Sequence, residues 1–324
     1  MRKFFEIFAI ASFLPVICWT DRNIKNKLEF VCGHCDVISM KGLLEFGRRH
    51  QYANGIPKII HYVYKTAYIP TQYSSHIKNC KAINKDAKFV FWTDFTAYRF
   101  IINNFLDYVK LYSSYFSKST HSLKISDVIR YFILYKFGGI YMDLDTRCQK
   151  PFDMAMLNGS CILSQEVHEQ TRILWNRPYL AMNSFMAVIP DHDFFKYLIE
   201  KLTMADSSPI LSQTGPFMLT NTLESYIKLI SHQTKPKNSV SLANPYLYSP
   251  LTEHYLERLC KFQYTKWKRK GCTHLNNHRQ QQKVKMKEAV AIHLFMHLGY
   301  SFAKAKIKQL ENVCRTFKNM TIVY

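Results

Sequence analysis

After residue 20 the sequence contains no stretch long and apolar enough to cross a bilayer, which takes about 17–25 apolar residues. Internal repeats and extended low-complexity tracts are missing as well, which excludes repeat arrays and fibrous chains. Acidic residues are scarce: 23 Asp and Glu stand against 44 Lys and Arg, for a formal net charge of +21. Such a field favours acidic partners, namely nucleotide diphosphates, anionic lipid head groups or nucleic acid, without choosing among them. Zinc-finger spacing, an RNA-recognition signature and a basic zipper are all lacking, so only net charge speaks for nucleic acid, and none is expected as a partner.

What is present is apolar and aromatic enough for one large core: 324 residues, 48% hydrophobic and 15% aromatic. Met1-Arg2-Lys3 is a basic start, and Phe4 to Trp19 is apolar apart from Glu6 and Ser12. Residues 1–20 are therefore expected to be a signal peptide or a short signal-anchor, with the remainder in the secretory lumen. Nine cysteines fit that oxidising compartment, and setting Cys18 aside leaves an even number for pairing. Asn158-Gly159-Ser160 and Asn319-Met320-Thr321 are glycosylation sequons. Residues 21–55 form a polar, stem-like segment holding Cys32-Gly33-His34-Cys35. That tetrapeptide matches a thioredoxin-type redox motif, but too little chain precedes it for the βαβ unit such a fold needs. A local or structural disulfide in the stem is expected instead, its pairing left open, with a zinc site through His34 or His50 as the weaker option.

Residues 56–324 are expected to be the folded domain. Ile56 to Tyr64 follows Pro57 as a buried first strand, 73–86 is helical, and Lys88 to Trp92 is a second strand ending at Thr93-Asp94. Phe95 to Tyr115 supplies one or two helices. Alternating strand and helix indicates an α/β domain around a largely parallel sheet. Ligands of such sheets sit outside the carboxyl ends of the strands, where Tyr64, Asp94, Asp143 and Asp145 would cluster. Further on, Cys161 to Ser164 and Ala181 to Ile189 are expected strands; Asp191 to Leu202 and Phe217 to Ile230 are expected helices, the latter with Pro216 near its first position. Residues 231–245 are loop-like and the basic run at about 261–288 is expected to be an exposed excursion. Ala289 to Leu298 is a late apolar strand carrying His293 and His297, and Lys304 to Phe317 a closing helix. His293, on an apolar strand, fits a core histidine better than a ligand.

The chain is organised around Ser126–Cys148, SDVIRYFILYKFGGIYMDLDTRC. An amphipathic helix is stopped by Gly138-Gly139, and the short apolar strand Ile140-Tyr141-Met142 delivers Asp143-Leu144-Asp145. In a strand, side chains at i and i+2 share a face, so both carboxylates point the same way. Like charges that close call for a cation, and carboxylates with open positions suit Mn²⁺ or Mg²⁺ carrying a diphosphate. A bare Asp-x-Asp is commonly a solvated turn; the apolar strand, the glycine pair and the Asp127/Arg130 helix before it argue for a site.

IPKIIHYVY, SDVIRYFILYKFGGIYMDLD, NSFMAVIPDHDFF, QTGPFMLT and HLFMHLGYSF, in this order, resemble five blocks of glycosyltransferase family 32, and within it the inositolphosphoceramide mannosyltransferases. The resemblance implies a GT-A fold and retaining, metal-dependent sugar transfer from a nucleotide-sugar to a lipid or glycan acceptor at a Golgi or ER membrane. GDP-mannose is the favoured donor; UDP-hexoses serve other members, which transfer galactose or N-acetylglucosamine. By position, Asp143 and Asp145 look like the metal and diphosphate-ribose carboxylates, completed by His297 and Ser301. Asp127 looks like the carboxylate on the donor-sugar hydroxyls, Arg130 like its partner near sugar and phosphate, and Tyr64 like the residue stacking on the nucleobase. Asn183, Gln213 and Asp191 are acceptor-side candidates. Phe302 and Ala303 replace a tryptophan and a histidine usual in the last block, and Ser184 stands where aspartate is common. These departures also keep a catalytically silent sugar-nucleotide or glycan-binding relative in view.

Overall fold

The computed structural model describes residues 35–116, 122–152, 159–231, 239–253, 255–261, 265–296, 309–317 and 319–323. In chain order the strands are β1 (Asp36–Ile38), β2 (Ile59–Val63), β3 (Tyr68–Pro70), β4 (Lys88–Trp92), β5 (Gly139–Met142), β6 (Thr146–Cys148), β7 (Cys161–Gln165), β8 (Ala181–Val188), β9 (Val240–Leu242), β10 (Ala291–His293), β11 (Leu310–Asn312) and β12 (Met320–Val323). The helices are α1 (Met40–Arg49), α2 (Ser74–Ile83), α3 (Asp94–Asn104), α4 (Val109–Ser114), α5 (Ser122–Phe137), α6 (His168–Trp175), α7 (Asp193–Glu200), α8 (Ile210–Gln213), α9 (Pro216–Ile230), α10 (Pro245–Tyr248), α11 (Leu256–Cys260), α12 (Lys266–Glu288) and α13 (Val313–Thr316).

Eight strands make one sheet in the order β1-β12-β4-β2-β5-β8-β7-β9. Only β8 runs against its neighbours, β5 and β7; every other pairing in this sheet is parallel. This is the expected α/β architecture around a mostly parallel central sheet. Because helices cover both faces, the strands between the two edges are almost wholly buried, and alternate residues enter different cores. Ile59, Val90, Trp92, Tyr141 and Met186 pack with α5, α7 and α9 on one face. Ile60, Phe89, Phe91, Ile140 and Met142 pack with α2, α10 and α13 on the other. Each such side chain contributes about 1.5–3 kcal/mol by leaving water.

The glycine pair turns α5 into β5 at positive φ, +60° at Gly138 and +93° at Gly139. A Cβ on Gly138 would lie 2.6 Å from the Pro190 nitrogen, and one on Gly139 would lie 2.6 Å from the Ile59 carbonyl oxygen. Buried His61 secures this turn. The Trp92 indole, a donor only, gives its N–H to His61 Nδ1 at 3.2 Å, so Nε2 carries the proton and donates to the Gly138 carbonyl at 3.0 Å. Burial pushes the His61 pKa down to about 4, against the weaker opposite pull of the Gly138 bond.

Several expectations are corrected. The domain does not begin at 56: β1 pairs with β12, and Leu43 of α1 lies in the main core. The same pairing brings Cys35 to Cys314, so Cys35 forms a long-range disulfide and not a local one; Cys32 lies outside the described residues. Cys80–Cys148 and Cys260–Cys272 also pair, and Cys161 is a buried free thiol. The basic run is a 23-residue helix, α12, because Gly271, Cys272 and Leu275 give it a buried stripe against Ile173. The expected closing helix is instead β11 followed by the single turn α13, and β12 then completes the sheet; residues 301–308 are outside the described residues. The late strand is only Ala291–His293, and β9 lies within the span expected to be loop.

Candidate functional site

At the carboxyl end of β5 the chain leaves the strand at Met142, so Asp143-Leu144-Asp145 forms a turn and not a strand continuation. The Asp143 N–H still bonds the Ser184 carbonyl of β8 at 2.9 Å, and Thr146 N–H closes the turn on the Asp143 carbonyl at 3.0 Å. The antiparallel pair β6–β10 then sets His293 opposite Thr146 and its ring against both carboxylates. His293 Nε2 lies 3.2 Å from Asp145 Oδ1 and 3.8 Å from Asp143 Oδ2.

The carboxylates divide their oxygens between scaffold and cluster. Asp143 Oδ1 accepts the Tyr141 hydroxyl at 2.7 Å and the Arg130 Nη1 at 3.2 Å. Asp145 Oδ2 accepts the Met296 N–H at 2.9 Å. That leaves Asp143 Oδ2, Asp145 Oδ1 and His293 Nε2 turned toward one another, and one ligand atom from each residue falls within 4.8 Å of the others. Burial alone would raise Asp145, but the His293 imidazolium and its hydrogen bond outweigh it and hold the carboxyl below its ordinary range. The reverse holds for His293: burial lowers it, and Asp145, then Asp143, lift it above its ordinary value. A buried imidazolium between two carboxylates occupies the place a cation would take. Two oxygens and one imidazole nitrogen fit Mn²⁺ and, less well, Mg²⁺, which prefers oxygen ligands alone.

Behind this cluster, α5 presents Lys124, Asp127, Arg130 and Tyr131 at helical spacing. Arg130 is 4% exposed, and each guanidinium nitrogen faces a protein oxygen. Nε donates to the Ser126 carbonyl at 2.8 Å and Nη1 to the Asn183 carbonyl at 2.8 Å as well as to Asp143. Nη2 reaches Ser126 Oγ at 3.3 Å and lies 3.2 Å from Asp127 Oδ1, while the Tyr141 ring stacks beneath at 4.4 Å. Arg130 thus bridges Asp127 and Asp143 and has no N–H left over for a phosphate. Asp127 also accepts Asn183 Nδ2 at 2.8 Å and Thr214 Oγ1 at 3.0 Å. Burial pushes its pKa up to about 6, with Arg130, Thr214 and Asn183 pulling it back.

The remaining expected residues separate. Tyr64, half-buried at the end of β2, meets Tyr73 edge-on at 6.3 Å, and Tyr73 in turn feels Asp145 and Asp143. Asp94 shares the same sheet edge two strands from β5, in the order β4-β2-β5, where burial pushes it up to about 6 and Lys65 pulls it down. Asn183 is drawn into the Asp127–Tyr131 network, and Gln213 clamps Lys124 Nζ at 2.6 Å and the Met204 carbonyl at 2.8 Å; both side chains are buried. Asp191 bonds the Tyr135 carbonyl beyond the other end of β8, away from the aspartates. His297 and Ser301 lie outside the described residues. His293, Tyr73 and Thr214 are site residues that the sequence reasoning did not nominate; for His293 the available signal was a second histidine four residues before His297.

Residues 70–168, which hold Asp127, Arg130 and both aspartates, match the family model described as a glycosyltransferase sugar-binding region containing a DXD motif. Mannosyl phosphorylinositol ceramide synthase SUR1 of Saccharomyces cerevisiae is 30% identical over 171 residues, covering 51% of this chain and 41% of its own. Inositol phosphoceramide mannosyltransferase 3 of Schizosaccharomyces pombe is 29% identical over 180 residues, covering 54% and 46%. The chain thus spans less than half the length of these yeast relatives. An uncharacterized glycosyltransferase of Acanthamoeba polyphaga mimivirus is 29% identical over 192 residues, 58% of this chain and 70% of its own. Among solved structures, the PaToxG glycosyltransferase superposes with a TM-score of 0.38 at 14% identity over 82% of this chain and 88% of its own. Through its DXD region, residues 70–168, the chain is similar to this family of glycosyltransferases.

Proposed function

We propose that the protein is a retaining, metal-dependent hexosyltransferase that moves a sugar, mannose first, from a nucleotide-sugar to a lipid or glycan acceptor at a secretory-pathway membrane. The observation that carries this reading is the convergence of Asp143 Oδ2, Asp145 Oδ1 and His293 Nε2 at the carboxyl edge of a parallel sheet. The mannosyl transfer named for the yeast relatives favours mannose and an inositol-phosphoceramide-like acceptor.

Asp143, Asp145 and His293 would hold Mn²⁺ (or Mg²⁺), with His297 and Ser301 as further candidates. Bound there, the cation supplies charge neutralisation to the leaving nucleoside diphosphate. Tyr64 offers a ring face for the nucleobase, and Asp94 lies on the same edge for donor contacts. Asp127, with three of about four lone-pair positions already used, keeps capacity to accept a donor-sugar hydroxyl. Arg130 acts through Asp127 and Asp143 as a positioning residue, fixing the distance between sugar and diphosphate carboxylates. The acceptor hydroxyl attacks from the leaving-group face, forming the new glycosidic bond as the anomeric carbon–phosphate oxygen bond breaks. Its proton passes to the departing phosphate, so no side chain is assigned as general base.

A donor screen tests this reading: GDP-mannose, UDP-galactose and UDP-N-acetylglucosamine, each with and without Mn²⁺, scored by released nucleotide. Mn²⁺-dependent release from one donor, lost in Asp143→Ala/Asp145→Ala, is expected. Identical behaviour of wild type and double variant would sink the transferase reading in favour of a silent sugar-nucleotide binder.

A further inference from the structure

We propose that the basic surface around the Cys260–Cys272 disulfide docks the protein on an anionic bilayer. The inference rests on the membrane-acceptor reading above and adds the surface that serves it. Helix α12 carries eight Lys and Arg against the single acid Glu288. Lys266, Arg269 and Lys270 are exposed in its first turns, next to exposed Arg258 and Lys261 at the end of α11. Among the described residues Lys266, Arg269 and Lys270 take part in no ion pair.

Internal stability does not account for these charges. Lys266-Trp267-Lys268-Arg269-Lys270 puts cations at the positive end of the helix dipole, and no acid occupies the first turn. A helix serving only to cover α6 would carry acids there. The cations nevertheless stand on a rigid platform. The disulfide ties α11 to α12, Leu256, Cys272 and Leu275 pack on Ile173, and Gly271 sits so close that a Cβ would lie 2.7 Å from the Ile173 side chain. Half-buried Trp267 and exposed Tyr255 flank the cations, and this mix of aromatic and basic side chains suits the headgroup layer of a membrane.

Topology ties the surface to the site. The segment leaves the core at Glu253, whose charge acts on His293, and returns along α12 to His293 itself. A 23-residue helix spans about 35 Å, and its last turn leads directly into β10 and His293. Resting the basic surface on a negatively charged bilayer would hold the sheet edge beside lipid head groups.

The test is flotation of the full chain with phosphatidylcholine vesicles, with and without phosphatidylserine, at low and high salt. Wild type should partition at least about a hundredfold more strongly to the anionic vesicles at low salt and lose that preference at high salt. Lys266→Gln/Arg269→Gln/Lys270→Gln should lower anionic partitioning by about a hundredfold and leave neutral partitioning unchanged. Lys78→Gln/Lys110→Gln/Lys196→Gln, the same charge change at exposed sites elsewhere, should lower it far less. Equal losses in the two triple variants, no anionic preference in wild type, or salt-sensitive binding to nucleic acid without vesicle preference would each overturn the proposal. Metal-dependent nucleotide release without vesicles is measured in parallel. Its absence counts against the transferase reading alone, and its persistence in the first triple variant confines any loss to docking.

Discussion

At the residue scale, the site is a chain of shared carboxylates. Arg130 satisfies Asp127 with one guanidinium edge and Asp143 with another, so sugar-side and metal-side groups move together or not at all. A lysine retains the charge and loses the fork. Arg130→Lys is therefore expected to lower kcat for nucleotide release on the order of a hundredfold, because loss of about an ångström of positioning costs that much. Mn²⁺ affinity should change less than about tenfold, since the ligand atoms of Asp143, Asp145 and His293 are all kept. Steady-state kinetics beside a Mn²⁺ titration separates the two; equal losses in both would show that Arg130 serves the cation directly.

This scale is also where the sequence was most and least informative. Asp143, Asp145, Asp127 and Arg130 lie within twenty residues, and their helix-glycine-strand setting is local, so it could be recognised without coordinates. His293 could not. It reaches Asp145 only because β10 pairs with β6, an antiparallel contact between segments 145 residues apart in sequence that no local pattern announces. Asn183 and Gln213 were legible as polar residues in apolar surroundings. Their partners, Asp127 and Lys124, lie on helix α5, far away in sequence, and no local pattern announces those bonds.

At the element scale, the turn from α5 into β5 depends on one neutral imidazole. His61 must accept from Trp92 and donate to Gly138, which an imidazolium, with two donors, cannot do. Its folded pKa of about 4 lies below the ordinary 6.5, so the neutral form is the one favoured by folding. The associated stability is complete above pH 6.5 and is lost as pH falls from there through 4, by about 3 kcal/mol in total. His61→Gln keeps an acceptor and a donor but does not titrate. Urea unfolding at pH 7.5 and 4.5 should show a smaller acid-induced loss in that variant than in wild type. Equal losses would place the acid sensitivity elsewhere, for instance at buried His192, whose pKa burial also lowers to about 4. The strands themselves were legible because parallel, doubly covered strands are continuous apolar runs. Helix α12 was not, since its polar face dominates and its buried stripe is only three residues wide.

At the scale of the whole molecule, the order β1-β12-β4-β2 places the first and last described strands side by side, and Cys35–Cys314 closes a separation of 279 residues. In the chain-entropy account so large a loop stabilises by about 5–6 kcal/mol. Cys35→Ser/Cys314→Ser should lower stability by about that amount in urea unfolding at neutral pH, while metal-dependent nucleotide release at low temperature persists. The sequence left the disulfide at Cys32 and Cys35 open between a local and a structural one, because nearness in sequence was the only proximity available; sheet order supplied the pairing of Cys35 with Cys314.

The claim on which the account turns is that Asp143, Asp145 and His293 form a divalent-cation site that serves a nucleotide-sugar. Calorimetric titration of Mn²⁺ into wild type, Asp143→Asn/Asp145→Asn and His293→Ala tests it most directly. The prediction is one saturable site in wild type, abolished in the double aspartate variant and weakened at least about a hundredfold in His293→Ala, beyond what loss of an outer-shell partner costs. Saturable Mn²⁺ binding of equal strength in all three proteins would contradict it.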